Sequence, residues 1–209
     1  MKTVMVICLM ATVIAFAAIS GLLAPISSAQ PMPREQVLYI DLIGGRVADP
    51  TNWNFLLPKP FSYRGQNFMF DPLFVLNFET GDFIPWLGEK YEYSADYTSL
   101  VIHLRKGVKW SDGTPFTADD VVFTYRLLLE YAPKLAYSSM AAELIKEVEK
   151  VDDYTVKIVF YEPCPRFHLL SGIGLRILPI PKHIWEGKDP LTFKFYPPVG
   201  LSLIHISEP

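Results

Sequence analysis

Cysteine is nearly absent from this 209-residue chain: Cys8 lies inside an apolar N-terminal run, and Cys164 is the only other one. Residues 30–209 therefore hold a single thiol, which excludes an intrachain disulfide among them. Histidine is scarce as well, at His103, His168, His183 and His205, and no H-x-x-x-H, C-x-x-C or H-E-x-x-H spacing occurs. No metal site is expected from these residues. Gly44-Gly45-Arg46 lacks both G-x-x-x-x-G-K and G-x-G-x-x-G, and Ser171-Gly172 and Gly172-Ile-Gly174 do not form a nucleophile elbow. No basic run exceeds two residues, as at Arg105-Lys106. The whole chain carries 19 Lys+Arg and 22 Asp+Glu; losing Lys2 with the first 29 residues leaves 18 against 22, or −4. A nucleic-acid partner is set aside on that balance. The residues of an enzyme are missing, and no cofactor is expected.

What is present begins with an address. Lys2, an apolar run from Thr3 to Ala24, and the small residues Ser27, Ser28 and Ala29 before Gln30 make an export signal cleaved near residue 29. The run also approaches the roughly 20 residues that span a bilayer, so an uncleaved membrane anchor is the alternative reading of residues 1–29. Cys8 sits within the run and not at its end, which does not suit a lipoprotein. Either way the remainder is expected to be periplasmic or extracellular. It is long enough to bury a core of its own.

Val37 to Ile43 is apolar on both faces and reads as a buried central strand. Leu73 to Phe78 reads as a short strand, Glu79-Thr80-Gly81-Asp82 as a turn, and Phe83 to Leu87 carries the chain on to Glu89-Lys-Tyr-Glu-Tyr93. Leu100, Ile102 and Leu104 alternate with Val101, His103 and Arg105 at the period of a half-buried strand. Asp112-Gly113-Thr114-Pro115 is turn chemistry, with Trp110 packing beneath it. Thr117 then suits a helix N-cap, Asp120 the N3 position of a capping box, and Phe116 and Val121 a hydrophobic staple. The helix runs from about Ala118 to Tyr131, buried through Val121, Val122, Tyr125, Leu128 and Leu129, and is stopped by Pro133. Asp119 and Asp120 resemble a catalytic carboxylate pair only superficially, because acids in a first helical turn are favoured by the helix dipole.

Tyr93-Ser-Ala-Asp-Tyr-Thr98 and Lys150-Val-Asp-Asp-Tyr-Thr155 echo one another, each an acidic turn before an alternating strand, so two β-hairpins are expected. Between them, Met140 to Ile145 fits a helical turn and Ile145 to Val151 a strand; the strand is favoured because Asp152-Asp153 then makes the turn. Arg166 to Ser171 reads as a short helix. Seven prolines from Pro163 to Pro198 suit a segment that wraps over a surface.

The stretch from His103 through Lys109-Trp110-Ser111-Asp112-Gly113-Thr114-Pro115 to Tyr125 closely resembles the signature of the family 5 extracellular solute-binding proteins. Pro33 to Tyr39, Pro179-Ile-Pro-Lys-His-Ile-Trp185 and Pro197-Pro-Val-Gly200 extend the likeness. The resemblance implies an α/β, type II periplasmic-binding-protein-like fold, of which this is the N-terminal part of lobe one with a β-rich insertion domain. It implies a first lobe over 30–200, incomplete. From Leu201 the family pattern stops, and 201–209 reads as a non-native tail. The implied role is an extracytoplasmic substrate-binding subunit of an ABC importer. It captures a small solute, an oligosaccharide or oligopeptide, as a monomer and delivers it to permease subunits. An exported carbohydrate-active enzyme with its acids beyond residue 209 is the alternative. The segment holding Gly44, Gly45, Trp53, Asn54, Gln66 and Asn67 is similar to the branch that binds glycans: Trp53 would offer a flat apolar face, and Asn54, Gln66 and Asn67 would meet hydroxyls. The same amides also suit turn-stabilising roles, and Trp53 a loop anchor.

Overall fold

The computed structural model describes residues 51–58, 69–170 and 177–201, all within the compact unit formed by residues 42–209. The expected strand Val37–Ile43, the N-terminal apolar run, Gly44, Gly45, Gln66 and Asn67 lie outside the described residues. Two sheets are present. A hairpin pairs β1 (Phe74–Leu76) with β2 (Phe83–Pro85). A four-stranded antiparallel sheet joins β3 (Gly88–Tyr93), β4 (Ser99–Leu104), β5 (Ile145–Asp152) and β6 (Thr155–Phe160) in the order β3-β4-β6-β5. The two echoing sequences are thus the turns of two hairpins, which meet through their second strands.

The register makes the alternation physical. Tyr93, Leu100, Ile158 and Val148 stand in one row across the sheet, and Leu100, Ile158 and Val148 are buried. One residue along, Glu92, Val101, Lys157 and Glu149 form the opposite face, where Lys157 and Glu149 pair at 3.6 Å. A slip of one residue would bury these charges, so the pattern fixes the register. The edge strands β3 and β5 carry Glu89, Lys90, Lys146 and Glu147, which discourage pairing with another chain.

Helix α1 (Ala118–Glu130) covers the apolar face, packing against β5 and β6. Its start is as the sequence predicts: Thr117 accepts from the Asp119 N–H, and the Asp120 carboxylate accepts from the Thr117 N–H, closing a capping box. Val121, Val122, Tyr125 and Leu128 are buried. Arg126 donates to the Val148 carbonyl at 3.1 Å, and Lys150 reaches Asp119 at 2.7 Å, so charged groups pin both ends of the helix to β5. A helical turn and a strand both form between the hairpins: α2 (Ser138–Leu144) starts at Tyr137, whose φ of 62° lies in the left-handed region, and runs directly into β5. The strand was the favoured of the two readings, and the short helix is found beside it. Two one-turn helices follow, α3 (Phe167–Leu170) and α4 (Lys182–Trp185).

Leu201, the first residue of the segment read as a tail, belongs to the packed fold. It is buried, donates to the Met69 carbonyl at 2.8 Å and accepts from the Asp71 N–H at 3.0 Å, forming a parallel bridge with Phe70. Gly200 makes the approach: a Cβ there would lie 2.6 Å from the Met69 oxygen. Residues 202–209 lie outside the described residues.

Candidate functional site

The ligand-facing candidates that are described, Trp53 and Asn54, sit where an extended strip is laid against residues 190–195. The Trp53 N–H donates to the Lys194 carbonyl at 2.8 Å, and its half-buried indole packs against the core. Asn54 is 1 % exposed. Its Nδ2 donates to the Pro190 carbonyl at 2.8 Å and the Phe193 carbonyl at 2.7 Å, while its Oδ1 accepts from the Leu56 N–H at 3.0 Å. Both amide hydrogens are therefore used within the protein. The expectation that Asn54 meets ligand hydroxyls gives way to a tether; its turn-stabilising alternative matches the geometry. Beneath the strip lies a bed of rings: Phe55 on Phe70 at 4.8 Å, Phe70 on Phe195 at 5.6 Å, and Trp185 on Phe195 at 5.1 Å.

The signature stretch performs a different task from binding. Asp120 is a hub: Oδ2 accepts from Thr117 N–H at 3.0 Å and from Trp110 Nε1 at 3.3 Å, and Oδ1 accepts from Lys182 N–H at 2.9 Å. Burial pushes its carboxyl above the usual carboxylate range, against these bonds, which favour the ionised form. One turn on, Thr124 Oγ1 donates to the Asp120 carbonyl and accepts from the Ile180 N–H at 3.0 Å. His183 Nε2 donates to Asp112 Oδ2 at 2.7 Å. Although partial burial raises it, hydrogen bonds from His183 and Thr114 hold the Asp112 carboxyl below its usual range. Ser111 and Gly200 exchange two bonds, Ser111 N–H to Gly200 O at 2.9 Å and Gly200 N–H to Ser111 Oγ at 3.1 Å. Residues 111–124 thus clasp residues 180–200, which in turn hold Asn54 and Trp53. The sequence marks Asp120 as a cap; its second oxygen, Thr124, His183 and Ser111 carry no signal of this role except that they fall within the signature and its flank.

Cys164 is a free buried thiol, and burial raises its pKa. Among the described residues no group of three or more His, Cys, Asp or Glu is placed to hold a metal ion, and no helix is long and apolar enough to cross a membrane. The crevice lined by Leu73, Val121, Thr124, Tyr125, Ile177 and Pro179 is closed even to a water molecule.

Residues 82–200 match the family described as bacterial extracellular solute-binding proteins, family 5 Middle, and the chain belongs to that family. It is 32 % identical over 173 residues to the periplasmic alpha-galactoside-binding protein of Rhizobium meliloti, covering 76 % of this chain and 24 % of that protein. The mannohexaose-bound periplasmic oligopeptide-binding protein of Thermotoga maritima is 37 % identical with a TM-score of 0.56, over 63 % of this chain and 24 % of that one. The oligopeptide-binding protein AppA of Bacillus subtilis, in complex with a nonapeptide, is 26 % identical with a TM-score of 0.63, over 76 % of this chain and 32 % of that one. The fold is accordingly that of the type II periplasmic binding proteins, in part. The chain spans about a quarter of the length of the curated relatives it matches.

Proposed function

We propose that this chain belongs to the substrate-binding subunit of an ABC importer, which traps a solute between two lobes and presents it to a membrane permease without covalent chemistry. The observation that supports this most directly is the match of residues 82–200 to a solute-binding family. That membership favours capture over the alternative of an exported hydrolase. The protein would work outside the cytoplasm, released by cleavage near residue 29 or held by an uncleaved anchor.

For the solute, an oligosaccharide is the first reading. Its support is the half-buried Trp53, packed against the core, together with relatives whose descriptions specify alpha-galactoside and mannohexaose. Trp53 is assigned to a sugar face, Gly44, Gly45, Gln66 and Asn67 remain candidates from the sequence resemblance, and Asn54 positions the strip. An oligopeptide is the second reading, favoured by the nonapeptide-bound relative. Calorimetric titration of the full-length protein with β-linked oligosaccharides and with mixed short peptides decides between them. Heat from peptides alone overturns the sugar reading, and heat from neither overturns solute capture.

A further inference from the structure

Three elements meet at the His168 imidazole on α3. The ring stacks on Tyr91 of β3 at 5.5 Å, with the planes 25° apart, and makes edge contacts with Phe83 of β2 at 5.4 Å and Tyr93 of β3 at 5.8 Å. Two hydrogen bonds join this residue to a single hydroxyl. The His168 backbone N–H donates to Tyr93 Oη at 3.1 Å, and the ring Nδ1 shares a hydrogen bond of 2.9 Å with the same atom. The chain before it is tied down as well: Cys164 N–H donates to the Tyr97 carbonyl at 2.9 Å, and the buried Phe167 ring lies on Phe160 of β6 at 4.8 Å. Residues 164–169 are thus laid across the sheet, with the Tyr93 hydroxyl as the polar contact between α3 and β3.

A proton on this ring works against the arrangement. The titratable groups that face it are Tyr91 and Tyr93 from β3, and the Cys164 thiol of its own segment acts on Tyr93; β2 contributes only the Phe83 ring. Burial raises the pKa of all three, that of Tyr93 to about 12, so each is uncharged near neutral pH. Asp82 and Arg166, near Phe83 and His168 in sequence, are exposed, and among the described residues His168 makes no ion pair. Burial lowers its own pKa below the ordinary 6.5. Once protonated, Nδ1 is a donor, so Tyr93 Oη meets two hydrogens from one residue and its own hydrogen needs another acceptor. All of these contacts are internal to residues 83–169, and chain packed over them deepens the burial. We propose that Tyr93 and His168 form an acid-sensitive latch: it fastens residues 164–169 to β3 while the imidazole is neutral, and releases them locally when the ring takes up a proton.

The test is amide hydrogen exchange on the full-length protein, each rate divided by that of an unstructured chain at the same pH. Protection of the Cys164 and His168 amides should fall several-fold from about pH 7.5 to about pH 5, because the released state binds the proton more tightly. At each pH these amides should exchange faster than those of Ile102 and Ile158 in the sheet, since the latch opens while the sheet stays folded. His168→Phe, which keeps a ring without a titrating group, should lose the pH dependence. Tyr93→Phe, which removes only the hydroxyl, should lower protection already at about pH 7.5, toward the wild-type level at about pH 5. An acid-induced fall that persists undiminished in His168→Phe overturns the latch. So does wild-type protection that stays flat, or that rises on acidification because the Tyr91 face holds the imidazolium. Exchange of residues 164–169 no faster than the sheet overturns local release, and Tyr93→Phe exchanging like wild type at neutral pH overturns the assignment to the hydroxyl. Should His168→Phe not fold, the wild-type profile and Tyr93→Phe decide the matter.

Discussion

Asp120 Oδ1 accepts the Lys182 backbone N–H at 2.9 Å, across 62 residues of chain, while its other oxygen closes the cap of α1. One carboxylate therefore joins a local and a long-range structure. Replacing it by alanine leaves two backbone donors and the Trp110 indole N–H unmatched in a buried place. Asp120→Ala should lower stability by about 2–4 kcal/mol. Asp120→Asn, which keeps a single carbonyl acceptor, should lose about half as much. Urea unfolding of the full-length protein and both variants measures this; equal losses for Ala and Asn would show that the one oxygen Asn retains contributes nothing.

Asn54 offers a sharper chemical contrast. Its Nδ2 faces two carbonyl oxygens, so Asn54→Asp replaces donors by a carboxylate oxygen set against Pro190 O and Phe193 O. Asn54→Ala should cost about 2–3 kcal/mol, and Asn54→Asp more, although aspartate is the closer isostere. Thermal melts at neutral pH check the order. An aspartate variant more stable than the alanine one would mean the strip is held by something other than this amide.

How far the sequence carried this structure depends on the range of the forces involved. Thr117, Asp120, Phe116 and Val121 act on neighbours within a turn, and the helix start could be read residue by residue. The alternation of Leu100 to Leu104 and the echoing acidic turns likewise specified two hairpins. Their joining through β4 and β6 was not legible, since nothing local distinguishes that pairing from others. The candidate site shows the same limit. The sequence leaves Asn54 between ligand hydroxyls and a turn, because its partners, Pro190 and Phe193, lie 136 and 139 residues away. The sequence names the helical turn of α2 but favours the strand, because seven residues hold too little periodicity to compete with the strand after them.

His168 provides a pH-dependent test. Its backbone N–H donates to the Tyr93 hydroxyl oxygen at 3.1 Å, and its Nδ1 shares a hydrogen bond of 2.9 Å with the same hydroxyl. The ring stacks on Tyr91 at 5.5 Å. Burial lowers its pKa below the ordinary 6.5. A depressed histidine contributes stability above its unfolded value and loses it as pH falls through the folded one. Wild type should therefore weaken below about pH 6.5, and His168→Phe should show a flatter profile between about pH 6.5 and 5. Parallel pH profiles for the two proteins would remove His168 as the cause.

The nature of the solute can be separated by mechanism at Trp53. A peptide captured by strand addition draws most of its affinity from its own backbone, so one ring in this lobe should matter little. A glycan has no such backbone and depends on flat apolar faces, each worth about 25 cal/mol per Å² of apolar surface covered. Trp53→Ala in the full-length protein should weaken oligosaccharide binding on the order of tenfold, or about 1.4 kcal/mol. Trp53→Phe, which retains a smaller ring, should recover part of that loss. Because the Trp53 N–H bond to Lys194 is made by the backbone, neither change removes it. A fall in affinity accompanied by an equal fall in melting temperature for Ala and Phe would instead assign the indole to anchoring the strip. Peptide binding untouched by either variant, with no glycan heat, would place the solute among oligopeptides.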